Sequence, residues 1–417
     1  MLGQRKIKIK IKSVMVSFVV IFVINLYFLY LIDPHYGTIM GIAAQDFALV
    51  VAILWGTYYW AKLIKRPNPP FRYGKWVIAF VIMAVLSSVQ SNLLYGQSFL
   101  QGFAPQRWTL VWLLMYFILR KLIYYKKLKF DSLIKMMVAV GFLQLTLFIS
   151  QYLLGDENGL LYVNSSIRNG RMRYYFGPIL LDFLFLYLLD KFNTAKGSKR
   201  IFYFSCCALI LFETMVVQQF RLTTMGLILC LGLYIVFVRT RSQTKLLYFV
   251  VGAATLGFLF STPLVQNVLD QVLHSNYDGG MLIRSAARLL YFETLQKHPI
   301  LGGGYPSNYY QPARQAAGMN SLMYLYDNGV FGFMYIYGMI GIVWAVSFWA
   351  KLIRDGRYIQ KRFYELAFLL FPVFFIITCM NELHWYWEYG MVVFSLYMCL
   401  METKIAQGGE RGESNPY

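Results

Sequence analysis

The chain has 417 residues, of which 58% are hydrophobic and only 14% charged, and its net charge is +20. Soluble domains carry roughly 25% charged residues, so this balance excludes an ordinary water-soluble enzyme. It predicts an all-α polytopic membrane protein, because a helix pairs its own backbone groups and crosses a hydrocarbon core of about 30 Å in about 20 residues.

About twelve apolar segments of that length follow one another. They lie near residues 13–32, 41–61, 76–95, 108–125, 133–154, 174–190, 201–219, 222–239, 245–263, 328–350, 363–380 and 387–401. The basic head MLGQRKIKIKIKS precedes the first, and no small-residue cleavage site follows, which predicts an uncleaved signal anchor. The seventh and eighth are separated only by Gln218 to Arg221. No repeat or separate soluble domain interrupts the series, so residues 1–417 read as one integral domain with a long extramembrane loop at 264–320. Cys206, Cys207, Cys230, Cys379 and Cys399 all fall inside apolar segments without metal-ligand spacing. They read as small core residues, and neither a metal site nor another cofactor is expected. The final GGERGESNPY is polar and expected to be disordered.

Topology follows the Lys and Arg bias of short loops. With the N-terminus and C-terminus cytoplasmic, 30 of the 39 basic residues fall on the cytoplasmic face, as 11 Arg and 19 Lys. That surplus meets anionic lipid heads and accounts for most of the charge, so no nucleic-acid partner is implied. The other nine are Arg107, Arg168, Arg171, Arg173, Arg221, Arg284, Arg288, Lys297 and Arg314. Eight are arginine, whose planar fork binds phosphate bidentately. An outer cluster of this kind predicts an anionic ligand such as a lipid-linked phosphate or diphosphate. The competing reading is structural: pairing with Asp156, Glu157, Asp278 or Glu293, or snorkelling to phospholipid heads.

Within the long loop, MLIRSAARLLYFETLQ predicts a helix whose apolar positions Leu282, Ile283, Leu289, Leu290 and Phe292 suit the membrane surface. Arg284 and Arg288 stand four apart, on one helix face and within reach of a single diphosphate. HPILGGGY then ends the helix. Gly302 and Gly304 form either a plain turn, the favoured reading, or a backbone approach to an anion. Arg221 heads the eighth span in QQFRLTTMG, followed by Thr223 and Thr224, where a charge either lines a pathway or anchors the span. Asp46 and Asp182 are possible partners for the arginines, and Glu213 is placed to face a cavity. Between the last two spans, CMNELHWYWEYG holds His384, Glu382, Glu388 and an aromatic group that reads as interfacial belt before sugar groove.

QQFRLTTMG, Arg288 followed by HPILGGGY, and MNSLMYLYDNGVFGFMYIYGMIG together resemble the bacterial O-antigen and exopolysaccharide polymerases of the Wzy type and the related O-antigen ligases. The likeness covers Arg221 to Gly341 in motifs and the whole chain in hydropathy. It implies a GT-C-like membrane glycosyltransferase, metal-independent, that polymerises repeat units carried on undecaprenyl diphosphate at the outer face of the bacterial inner membrane. It further implies that Arg221 and Arg288, with Arg284, hold the donor diphosphate; Arg173 and Arg314 are further candidates on residue type and side. In the ligases a histidine often precedes the asparagine matching Asn320; here the residue is Met319. That departure favours polymerase over ligase and leaves the acceptor-activating base unassigned, with His298, Asp327 and His384 as substitutes. Membrane lipids, a chain-length regulator and a flippase are the implied partners. From other classes, a lipid-linked oligosaccharide flippase would show short loops on both faces and charges within spans. A membrane acyltransferase would want histidine or acidic residues in the spans.

Overall fold

The computed structural model describes residues 11–33, 37–156, 159–168, 171–238, 279–380, 383, 386 and 388–409. Its helices are α1 (Ile11–Asn25), α2 (Ala44–Leu63), α3 (Gly74–Tyr95), α4 (Phe99–Phe103), α5 (Arg107–Tyr124), α6 (Phe130–Leu154), α7 (Ile179–Thr194), α8 (Ser198–Phe212), α9 (Arg221–Phe237), α10 (Gly279–Lys297), α11 (Gln311–Ala316), α12 (Gly329–Phe363), α13 (Ala367–Thr378) and α14 (Glu388–Gly409). Two antiparallel hairpins join them, β1–β2 (Thr38–Ile39 with Ile42–Ala43) and β3–β4 (Ser165–Arg168 with Arg171–Tyr174). A helix lies at each expected span except the ninth, 245–263, which is outside the described residues. Gly74–Tyr95, Phe130–Leu154, Ser198–Val217 and Tyr326–Phe363 are long and apolar enough to cross a membrane.

Burial follows the apolar pattern of those helices. On α3 the stripe Ile78, Ile82, Val85, Val89 and Leu93 faces outward at helical spacing, while Phe80, Met83, Ala84 and Ser87 face the bundle. An exposed stripe of this kind is a liability in water and a fitting surface for lipid. Inside, aromatic rings interdigitate: Phe80 packs on Tyr337 and Trp344, and Tyr397 packs on Phe368 and Phe371.

α12 is broken at Gly338, where φ is 61° and ψ is −155°. At about 1.5 Å per residue the break lies about 14 Å along the axis from Gly329. Breaking a helix orphans backbone groups, and within lipid no water replaces the lost partners. The turn after α10 replaces them. Gly303 N donates to Tyr335 O at 2.7 Å, Met339 N donates to Pro299 O at 2.9 Å, and Ile340 N donates to Ile300 O at 3.3 Å. On its other side, Tyr305 N donates to Ser87 O at 3.3 Å, and the Gln90 amide donates to Gly302 O at 3.2 Å. The turn is thus wedged between α12 and α3. Gly302 and Gly304 sit at φ of 65° and 71°, and a Cβ on either would collide with the backbone of Tyr335 or Ser87.

The same contacts set the direction of α10. Arg288 lies over Phe331, Tyr291 packs on Tyr335, and Pro299 bonds Met339, so α10 runs alongside α12 in the same direction. α10 therefore packs lengthwise on the part of α12 that precedes Gly338. Its sequence is apolar on two faces: Ala287, Tyr291 and Leu295 are buried, while Leu282, Leu289 and Phe292 stay exposed. A second, short helix in the same loop is α11.

At the opposite end, four elements close on an ionic knot. The Asp355 carboxylate of α12 accepts both Nε and Nη2 of Arg72 at 2.7 Å, Tyr73 OH at 2.8 Å and Lys351 Nζ at 2.9 Å. Glu402 of α14 accepts Arg72 N at 3.1 Å and Tyr116 OH at 2.6 Å, and pairs with Arg120 at 3.1 Å. Nearby, Asp190 of α7 accepts Leu366 N and Ala367 N, capping the start of α13. Segments that the charge count places on one face meet here.

Asp355→Asn is expected to cost about 2 kcal/mol, because it strips a nearly buried partner from two cations, one of them partly exposed. The variant's melting temperature should fall below that of wild type accordingly. For the wedge, Gly302→Ala should cost about 3 kcal/mol or prevent folding, through strain and backbone collision. Gly232→Ala on α9, where nothing lies within 4 Å, is the control and should be tolerated. Thermal unfolding in detergent reads both.

Candidate functional site

The junction between α8 and α9 is built by local sequence. After Phe212 the helix widens into a π turn over Glu213–Val217, with Gln218 N donating to Glu213 O at 3.0 Å. Gln219 takes a positive φ of 53°, and Phe220 N returns to Thr214 O at 3.2 Å. The chain reverses there. Arg221 opens α9, and Thr224 folds back on Phe220 O through both its N and its Oγ1 at 2.9 Å. Phe220 supplies no side-chain cap to the new helix. A helix N-terminus bearing arginine at its first position favours negative charge.

The β3–β4 hairpin brings Arg173 to the same place. Its Nε donates to Gln218 O at 2.8 Å, its Nη1 donates to Tyr175 OH at 3.3 Å, and its guanidinium lies 4.4 Å from the Tyr175 ring and 5.0 Å from the Phe220 ring. Two arginines therefore flank one phenylalanine, one reaching it across space and one following it in the chain. Gln219 Nε2 donates to Met172 O at 3.2 Å and ties hairpin to junction a second time.

Arg288 belongs to the same end of the bundle. It lies 5.2 Å from the Phe331 ring, in the first turn of α12. Val330 N donates to Cys379 O at 2.7 Å at the end of α13, and α13 in turn packs Phe374 and Thr378 against Gly226 in the second turn of α9. The end of α13 thus stands between Arg221 and Arg288. Arg284 is one turn before Arg288 and half-buried. Asp327 sits half-buried on the turn leading into α12, four residues before Phe331.

Other expected residues are placed elsewhere. Arg314 is exposed on α11, where Tyr310 approaches Gly96 at the end of α3. Asn320 is exposed on the adjoining turn, while Met319 points into the core. His298 lies ten residues beyond Arg288, about 15 Å along the helix axis, with its carbonyl accepting Gly302 N at 2.8 Å. His384 is outside the described residues. Gly302 and Gly304 form the wedge, where the N–H groups of Gly302, Gly303 and Tyr305 all go to protein carbonyls. Arg107 pairs with Asp46 through Nη2 at 2.5 Å and Nε at 3.0 Å, as expected for Asp46. Asp182 is wholly buried on α7.

A polar seam that no motif in the sequence marks lies beneath this end. Gln97 donates to Ser91 Oγ and Tyr305 O at 2.7 Å and accepts Ser307 N at 3.0 Å. Gln106 accepts Tyr337 OH at 2.7 Å, Tyr337 and Tyr386 share a hydrogen bond at 2.8 Å, and the Tyr305 and Tyr326 hydroxyls are bonded to each other. The available signal was Ser87, Ser88 and Ser91 close together in the polar C-terminal half of a span that begins apolar. Among the described residues, no group of histidine, cysteine and carboxylate side chains is arranged to hold a metal ion. No protein-family model matches the chain, and no curated protein matches it.

Proposed function

We propose that the protein is a polysaccharide repeat-unit polymerase of GT-C-like architecture, with about twelve spans and both termini cytoplasmic. It transfers a glycan from undecaprenyl diphosphate to an acceptor lipid-linked repeat unit at the outer face of the bacterial inner membrane. The observation that carries the reading is that Arg173, Arg221 and Arg288, from a hairpin and two different helices, stand at one end of the bundle. Two of them lie over aromatic rings and the third opens a helix. Long basic side chains scattered at an interface for topology alone need no such anchoring.

In the reaction an acceptor hydroxyl attacks the anomeric carbon, the bond from that carbon to the diphosphate oxygen breaks, and the hydroxyl proton passes to a base. Charge grows on the departing diphosphate. Arginines fixed in advance stabilise that charge more than the ground state and so lower the barrier. Asp327, on the turn four residues before the Phe331 ring that Arg288 covers, stands as the base candidate on this side, since His298 lies nearly three helical turns beyond Arg288. The competing reading, a lipid-linked oligosaccharide flippase, draws on Glu213 and Asp182, two carboxyls wholly buried within the helices.

Purified protein given undecaprenyl-diphosphate-linked repeat units is expected to make longer lipid-linked chains. Arg221→Ala and Arg288→Ala should each slow elongation by about 100-fold or more, with unchanged yield of folded protein. Wild-type protein that makes no longer chains, yet moves the labelled lipid across proteoliposome membranes, would replace the polymerase with the flippase.

A further inference from the structure

Glu213 is wholly buried, on a helix that is otherwise apolar around it. A carboxyl in such a place is costly, so its hydrogen bonds show what it secures. Its Oε1 accepts the Gln218 side-chain amide at 2.6 Å, and Thr214 Oγ1 lies 3.5 Å from its Oε2. Its backbone carbonyl accepts Gln218 N, closing the π turn. Gln218 is thereby held at both its main chain and its side chain by one residue. The carbonyl of Gln218 then receives Arg173 Nε at 2.8 Å, and Arg173 spreads over Phe220, the residue before Arg221.

Hydrogen bonds therefore run without a gap from Glu213 through Gln218 to Arg173, and chain connectivity carries them on to Arg221. π turns inserted in helices recur at functional sites, because they re-aim the residues that follow. We infer that Glu213 is a positioning residue, which holds the π turn so that Arg173 and Arg221 address one diphosphate of a polyprenyl-linked substrate. This rests on reading the arginines as diphosphate ligands. Glu213 touches no substrate; it sets where Gln218 presents its carbonyl, and that carbonyl sets the plane of the Arg173 guanidinium.

The test compares Glu213→Gln, Glu213→Ala and Gln218→Ala with wild type, using undecaprenyl diphosphate binding to the detergent-purified protein and elongation kinetics. A glutamine at 213 keeps an oxygen to accept the Gln218 amide, so Glu213→Gln should bind within about threefold of wild type. Glu213→Ala and Gln218→Ala each lose that hydrogen bond, which is worth about a tenfold change. Both should weaken binding and raise KM by about that factor, with kcat and melting temperature much less affected. If Glu213→Ala does not fold, Gln218→Ala and Glu213→Gln carry the comparison. Unchanged binding in folded Gln218→Ala, or Glu213→Gln as impaired as the alanine variants, would overturn the inference. Wild-type protein that binds undecaprenyl diphosphate without elongating any chain would end the polymerase reading but leave the positioning role intact. Failure of wild type to bind it would overturn both.

Discussion

A helix that breaks inside a bilayer must find new partners for the backbone groups it releases, and most of this architecture follows from how that is done at Gly338. The released groups of Tyr335, Met339 and Ile340 are met by the turn from Pro299 to Gly303. The turn can enter only because Gly302 and Gly304 lack side chains where α12 and α3 press on them. Once the turn is seated, α10 has no choice of direction. It must run beside α12, and Arg284 and Arg288 are then carried on a rigid element rather than on a loop. From Gly304 to Ser307 the chain passes the polar seam of Gln97, Ser91 and Tyr305, which satisfies a buried stretch of irregular backbone.

The two ends of the bundle treat charge differently. At one, Arg72, Lys351, Asp355, Arg120 and Glu402 satisfy one another and lock four elements together. Electrostatic energy there goes into holding the fold. At the other, Arg173 and Arg288 lie across aromatic faces, an arrangement that fixes the guanidinium plane. Arg107 shows that pairing is available at this end, since it is neutralised by Asp46.

Much of this was legible from residue order. Apolar runs located the helices, because spanning length and backbone pairing leave few alternatives. A charged residue at the head of an apolar run marked Arg221, and the glycine triplet marked a turn. Other features were hidden for identifiable reasons. Residues 282–295 carry apolar side chains on two faces, so helical periodicity alone could not say which face meets protein and whether α10 lies flat. The approach of Arg173 to Phe220 joins positions 47 residues apart through a hairpin, and no spacing rule connects them. Glu213 looked like one of several acidic residues in or near spans; its role emerges only from the π turn and the hydrogen bonds to Gln218.

Composition and hydropathy by themselves determined that the chain is helical, built for lipid, and asymmetric in its arginines, because the cost of exposing polar backbone to hydrocarbon depends on sequence and not on packing. Tertiary structure alone decided which arginines share a neighbourhood and which are neutralised or displaced. It separated His298 from Arg288, set Met319 inward, and seated the expected glycine turn as a wedge in which the N–H groups of Gly302 and Gly303 are bonded to protein carbonyls. The physical reason is that hydrogen bonds and ring contacts act over a few ångströms, so their partners are chosen by how helices pack and not by their order in the chain.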